Sequence, residues 1–281
     1  MRHLSSTLAI ALTLAAVRAA QPLEFDAASL KLLDPASPPA IPAGGPGTGA
    51  PGRYSTRTRL IDLLRVAYGL PDDQITGLPA SLALNLYQLD ATMPPGTTRP
   101  AFEAMLQTLL AQRLHLAFRR ETKSYPAFDL VVARNGPSLK DASAAAPDAY
   151  PVLPPGPHIG RSLHNGNLRF KFQEKSMADL AATLGNLIDQ SVGSRSDGKR
   201  PRVTDKTGLT ALYTFTLEFA CADCVASRPV GAAADPPPAA DDAPSIFTAL
   251  EKQLGLKAVK AADVSLEVIV IDHIDRVPIA N

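Results

Sequence analysis

The sequence is short of charge imbalance, of cysteine and of long apolar runs, and each shortage removes a class of protein. Lys and Arg number 28 against 27 Asp and Glu, a formal net charge of +1. A non-specific nucleic-acid surface needs clustered cations to displace counterions from phosphate, so that partner is excluded. The densest basic spot, Lys199-Arg200-Pro201-Arg202, reads as a solvated loop. Cysteine occurs twice, at Cys221 and Cys224, and without a second pair it cannot supply the four ligands of a structural zinc site. Past the N-terminal region no stretch is apolar enough for a transmembrane helix. No cofactor-binding, metal-binding or catalytic residue is assigned.

What is present begins with an export signal. Arg2 and His3 precede an apolar stretch at residues 8–16, and Val17-Arg18-Ala19 places small residues at the −3 and −1 positions of a cleavage site. The apolar stretch is too short for the roughly 30 Å of a bilayer core. It therefore predicts a cleaved signal peptide over 1–20 and a mature chain starting near Ala20 or Gln21. The protein is then periplasmic or extracellular. An uncleaved apolar helix is the other reading, because Arg18 is unusual at such a site. No cysteine follows the run to make a lipoprotein.

The 26 prolines cluster, and hydrophobic residues make up 46% of the chain, enough for a sizeable core. Pro/Gly/Ala-rich stretches at 34–52, 142–166 and 226–244 read as irregular connections. They divide the chain into an N-terminal strand and linker (21–52), a first unit (53–140), a linker (141–166) and a second unit (167–281) carrying the insertion 226–244. Both units repeat one order of elements. A strand at 54–58 leads to a helix with apolar Leu60, Leu63, Leu64 and Ala67. A strand at 168–172 leads to one with Met177, Leu180, Ala181 and Leu184. Each set is a single helical stripe, and Ser176 with Asp179 forms a capping box. Strands at 86–91 and 213–219 follow, the latter strictly alternating. Second helices then carry Phe102, Met105 and Leu109 or Phe247, Leu250 and Leu254 at identical offsets. Two closing strands end each unit, at 114–122 and 128–132, and at 256–260 and 266–271. The expected fold is α+β: two tandem related βα-rich units, each a small sheet with two helices packed on one face.

Several segments carry a resemblance. They are Phe25-Asp26-Ala27-Ala28-Ser29-Leu30-Lys31, the run from Leu60 to Leu70, Gln74-Ile75-Thr76-Gly77-Leu78-Pro79, and Val203-Thr204-Asp205-Lys206-Thr207-Gly208-Leu209. The tail from Ser245 to Asp275 continues the pattern. In combination they resemble a soil-associated family of exported bacterial proteins of unknown function, over nearly the whole mature chain. The chain departs from that family after Pro79, where Ala80-Ser81-Leu82 stands in place of a usual Trp. Some relatives look fused to penicillin-sensor-type membrane metallopeptidases, which implies an envelope setting and no activity. The second unit also resembles, in element order, the N-terminal modules of secretins and TonB-dependent receptors, an analogy of folds alone.

Few residues suggest chemistry. Cys221-Ala222-Asp223-Cys224 lacks the helix N-terminus that stabilises a reactive thiolate, so a small local disulfide is the simplest reading, with redox work or metal binding as alternatives. His158, His164 and Asp148 lie around a Gly/Pro loop, where a polar surface outweighs a metal site. In Asp272-His273-Ile274-Asp275 a general base is conceivable, but the segment reads as a polar strand end. The glycines from Gly44 to Gly49 lack the ending of a phosphate loop and read as linker. Asp205-Lys206-Thr207-Gly208 reads as a turn, and it is the candidate functional loop because scaffold-held loops carry function. The expected role is a non-catalytic envelope module that binds a protein, peptide or small ligand. A periplasmic enzyme, thiol–disulfide or hydrolytic, is the alternative, and a purely structural role a third.

Overall fold

The computed structural model describes residues 22–141, 153–164, 167–192, 198–220 and 244–279. The chain opens with β1 (Ala27–Leu32), β2 (Ala40–Gly44), β3 (Arg53–Arg59) and α1 (Leu60–Tyr68). Next come β4 (Ile75–Thr76), the one-turn α2 (Ala80–Ala83), β5 (Leu86–Thr92), α3 (Arg99–Leu114) and β6 (Ala117–Val132). Then follow β7 (Lys140–Asp141), β8 (His158–His164), β9 (Asn167–Lys175), α4 (Met177–Val192), β10 (Arg202–Asp205) and β11 (Tyr213–Phe219). The last elements are α5 (Ile246–Ala249), which continues as a wide π-helical turn (Leu250–Leu254), and β12 (Leu256–His273).

The helices form where one apolar stripe runs between good ends. In α1 the buried residues are Leu60, Leu63, Leu64 and Ala67, and the helix stops at Gly69 in the left-handed region (φ 63°). Thr98 caps α3 by accepting the Ala101 N–H. In α4 the capping box is complete. Asp179 N–H donates to Ser176 Oγ at 3.1 Å, while Ser176 N–H and hydroxyl donate to Asp179 Oδ2 at 3.0 and 2.7 Å. Both long strands follow a Leu-X-Leu corner whose middle residue is left-handed, His115 (φ 46°) after α3 and Gly255 (φ 63°) before β12.

The strands form three four-stranded sheets, an α+β architecture. The first sheet runs β1-β5-β3-β2 and the second β7-β11-β9-β8, antiparallel throughout. The third sheet runs β10-β6-β12-β4, with β10 parallel to β6 and β4 parallel to β12. Its two long strands are antiparallel, since Ala133 N–H donates to the Gly255 carbonyl at 2.8 Å while Ser124 reaches Asp263 further along. Strand, helix, short strand, strand, helix and long strand thus occur twice in succession, and the first two sheets share one strand order.

Two compact units divide the described residues. One lies within Met1–Gly69, Pro79–Ala117 and Asp272–Asn281, the other within Leu70–Leu78 and Phe118–Ile271. In the first, Tyr54, Thr56, Tyr87 and Leu89 of the sheet are buried with the stripes of α1 and α3. Tyr54 meets the Phe102 ring edge-on at 4.9 Å. In the second, Phe172 stacks on Phe215 at 4.8 Å and Phe170 on Phe219 at 6.2 Å. These rings join Leu180, Leu184, Ile246 and Leu254 in one core. Each such side chain removed from water contributes roughly 1.5–3 kcal/mol.

Four expectations need correction. Residues 34–52 are not wholly irregular, because β2 forms there and carries Pro42 as an edge strand can. Gly44 permits it: a Cβ would stand 2.1 Å from the Arg53 carbonyl at a φ of 76°. The supposed linker 141–166 likewise supplies β8. Each pair of closing strands is one strand, and Pro126 stands just before β6 meets β10 at Ala127. Lys199-Arg200-Pro201-Arg202 is no solvated loop, since Arg202 opens β10 and two of its cations enter an ion-pair cluster.

Candidate functional site

The densest polar constellation joins the turn at Asp72 and Asp73 to β10. Asp73 is buried, its side chain only 3% exposed, and it pairs with Arg200 at 3.2 Å and Arg202 at 3.0 Å. Its carboxylate also accepts the Arg200 N–H at 3.1 Å, and its carbonyl accepts the hydroxyl of buried Tyr125 at 2.7 Å. Arg200 bonds Asp72 and Asn186 as well. The Arg202 guanidinium lies 4.7 Å from the Tyr125 ring centre, a cation–π contact. Beside the cluster is a cavity of about 370 Å³ whose walls include Thr76, Lys123, Tyr125, Asp189 and Lys199. The carboxylates and cations of this cluster satisfy one another, so its work is to pin residues 72–76 against β6 and β10. Sequence reading missed it because the partners lie 127 positions apart.

The candidate loop is held as tightly. Asp205 Oδ1 accepts both the N–H and the hydroxyl of Thr207, at 2.9 and 2.8 Å, and Gly208 takes a positive φ of 72°. Lys206 reaches out to Asp129 at 2.7 Å and its N–H donates to the Leu130 carbonyl. The loop thus continues β10 along β6 and presents an ion pair at the surface.

At the C-terminal strand end, the structure adds a partner the sequence did not announce. Asp275 receives His115 Nδ1 at 2.7 Å on one oxygen and His273 Nε2 at 3.2 Å on the other. Chiefly the hydrogen bond from His115 holds the Asp275 carboxyl below the usual carboxylate range. Asp275 N–H also donates to the Leu114 carbonyl, and Ile279 N–H to that of Arg113, which caps the end of α3. All three side chains are largely exposed, and the arrangement ties the tail to the helix end.

Cys221, Cys224 and Asp148, and the side chain of His164, lie outside the described residues. His158 meets only the Pro155 carbonyl, at 3.2 Å, among the described contacts. The glycines after β2 form a hairpin loop, in which Gly45 N–H donates to the Arg53 carbonyl at 2.7 Å. Among the described residues, no group of three or more His, Cys, Asp or Glu is arranged to hold a metal ion. No helix among them is long and apolar enough to cross a membrane.

The remaining feature is an open sheet edge. β8 pairs with β9 over seven residues, from His158↔Gln173 to His164↔Asn167, without a register shift. Ile159 and Leu163 stand opposite the core residues Phe172 and Leu168, yet they are 40% and 58% exposed. They extend the apolar face of the sheet into solvent, with exposed Arg161 between them. Among the described residues no strand pairs with the outer edge of β8.

Residues 61–274 match the family described as protein of unknown function (DUF3738). The chain belongs to this family. The family match begins inside α1 and ends one residue past β12, so it takes in the third sheet and the second sheet with its edge strand β8. No curated protein and no solved structure matches the chain.

Proposed function

We propose that the protein is an exported, non-catalytic binding module of the cell envelope, built from two copies of one α+β unit. The observation that carries the binding role is the pair of aliphatic side chains on β8, Ile159 and Leu163, which continue a buried face into water. Exposed aliphatic side chains bordering a core face are surface that a partner can cover. The repeated element order and the shared order of the first two sheets support duplication, with 53–140 and 167–281 as the core of each copy. The envelope setting rests on the signal-like residues 1–20 and on the resemblance to soil-bacterial exported proteins, some fused to penicillin-sensor-type metallopeptidases. In such a compartment Cys221 and Cys224 form a local disulfide. The loop at 205–208 is a second contact surface within the same proposal.

The test places a photo-crosslinking residue at Leu163 of the mature chain and exposes it to envelope extract. A single stoichiometric adduct, lost on Ile159→Lys and weakened by Lys206→Ala, is the expected result. Turnover of an envelope substrate or thiol–disulfide exchange by the purified protein, with no adduct formed, overturns the reading. N-terminal sequencing of envelope-derived protein should start near Ala20 or Gln21, and a retained Met1 contradicts export.

A further inference from the structure

We propose that β8 is a strand-addition site for an extended partner peptide with aliphatic residues four positions apart and an acidic residue midway between them. This rests on the binding-module reading and names how the binding is made. A strand edge is a row of unpaired N–H and C=O groups, and proteins blunt edges that must stay single with proline, bulges, charge or shortness. Most of the other edges among the described residues are blunted in those ways. β2 carries Pro42 and a register shift between Ala40 and Ala43. β4 and β7 are two residues long and β10 is four. The open stretches of β6 and β12 carry Arg119, Arg120, Lys257 and Lys260. β8 has none of the backbone devices: its seven residues, HIGRSLH, include no proline and run in unbroken register.

The side chains define the occupant. Ile159, Arg161 and Leu163 alternate along the strand and so share one face. An added strand sets its own alternate residues beside them, at cross-strand pair distances. Aliphatic residues complete the apolar strip at both ends, and a carboxylate meets Arg161 in the middle. A second copy of this chain fits badly. Arg161 is the central residue of β8, so antiparallel pairing of two whole β8 strands sets Arg161 against Arg161. Like charges directly opposite destabilise such a pair.

The probe is a blocked heptapeptide, Thr-Val-Thr-Glu-Thr-Val-Thr, titrated by calorimetry into the mature full-length protein. It should bind at least about tenfold more tightly than the same peptide with Lys at its centre. Arg161→Glu, on an exposed side chain, should reverse that preference while the melting temperature stays unchanged. N-methylation of alternate peptide amides should abolish binding in one register and spare it in the other, because only one set faces β8. Equal affinity of the two N-methylated peptides, or binding unaffected by Leu163→Lys, overturns strand addition. A homodimer dissolved by Leu163→Lys overturns the choice of occupant. An adduct at Leu163 in envelope extract, with neither heptapeptide bound, refutes the strand mechanism and leaves the binding reading standing. The absence of both refutes the two together.

Discussion

The first and second sheets share one strand order, and they differ at the core face and at the final edge. The first sheet buries Tyr54, Thr56 and Tyr87 and closes on β2, whose proline and bulge end further pairing. Burial pushes the hydroxyls of Tyr54 and Tyr87 up from their usual pKa, so both stay protonated, and the Tyr87 hydroxyl donates a hydrogen bond to the Arg276 carbonyl at 2.7 Å. The second sheet buries Phe170, Phe172, Phe215 and Phe219 and closes on β8, regular in register and carrying exposed Ile159 and Leu163. One arrangement therefore yields a polar-anchored sheet with a blunted edge and an aromatic sheet with an open one. The difference lies in side-chain choice at equivalent places, and mutation can test it.

The largest effect should follow Phe172→Ala. Its ring is fully buried and stacked, so the loss should be about 3–5 kcal/mol, read as a lower urea midpoint at constant m-value. Thr56→Ala in the first sheet removes one hydroxyl, at 3.4 Å from the Ala40 carbonyl, and should cost about 1 kcal/mol. Equal losses would erase the contrast between the cores. Next is Gly44→Ala, where a Cβ clashes with the Arg53 carbonyl in a left-handed conformation; we expect about 1–3 kcal/mol and faster amide exchange in β2. The corresponding probe of β8, Ser162→Ala, removes a buried hydroxyl without a hydrogen-bond partner and should be neutral or slightly stabilising.

The helices sharpen the comparison further. α1 has no side-chain cap at Arg59, whereas α4 has the Ser176 box, so Ser176→Ala should cost about 1 kcal/mol. The Ser176 hydroxyl bond is the main cause that lowers the Asp179 carboxyl from its usual pKa. The stabilisation is therefore present above the unfolded Asp value near about 4 and is lost as pH falls through the lower folded value. Chemical denaturation at neutral pH and in acid should show the cost of Ser176→Ala shrinking in acid. A cost that grows in acid would reverse the assigned sign. Pro42→Val should also move stability by less than about 0.5 kcal/mol while making β2 a better pairing edge.

Legibility in the sequence followed burial. α1 and α4 were readable because Leu60, Leu63, Leu64 and Ala67, and Met177, Leu180, Ala181 and Leu184, keep a helical period that only a core-facing stripe requires. β11 was readable because it alternates buried and half-buried residues along its whole length. β2 and β8 were not, since an edge strand is held by backbone bonds on one side and needs no apolar alternation. AIPAG and HIGRSLH look like linker. The Arg200–Asp73–Arg202 pin and the His115–Asp275 contact were invisible for another reason: each joins residues more than a hundred positions apart. The turn at Asp205 and Gly208 was legible because its hydrogen bonds close within two residues.

Hydrogen exchange of the purified protein, with and without saturating Thr-Val-Thr-Glu-Thr-Val-Thr, compares the two edges directly. The account predicts added protection at alternate amides of His158–His164 and none in Ala40–Gly44. Protection in β2, or an unchanged exchange pattern in β8 with the peptide bound, would contradict it.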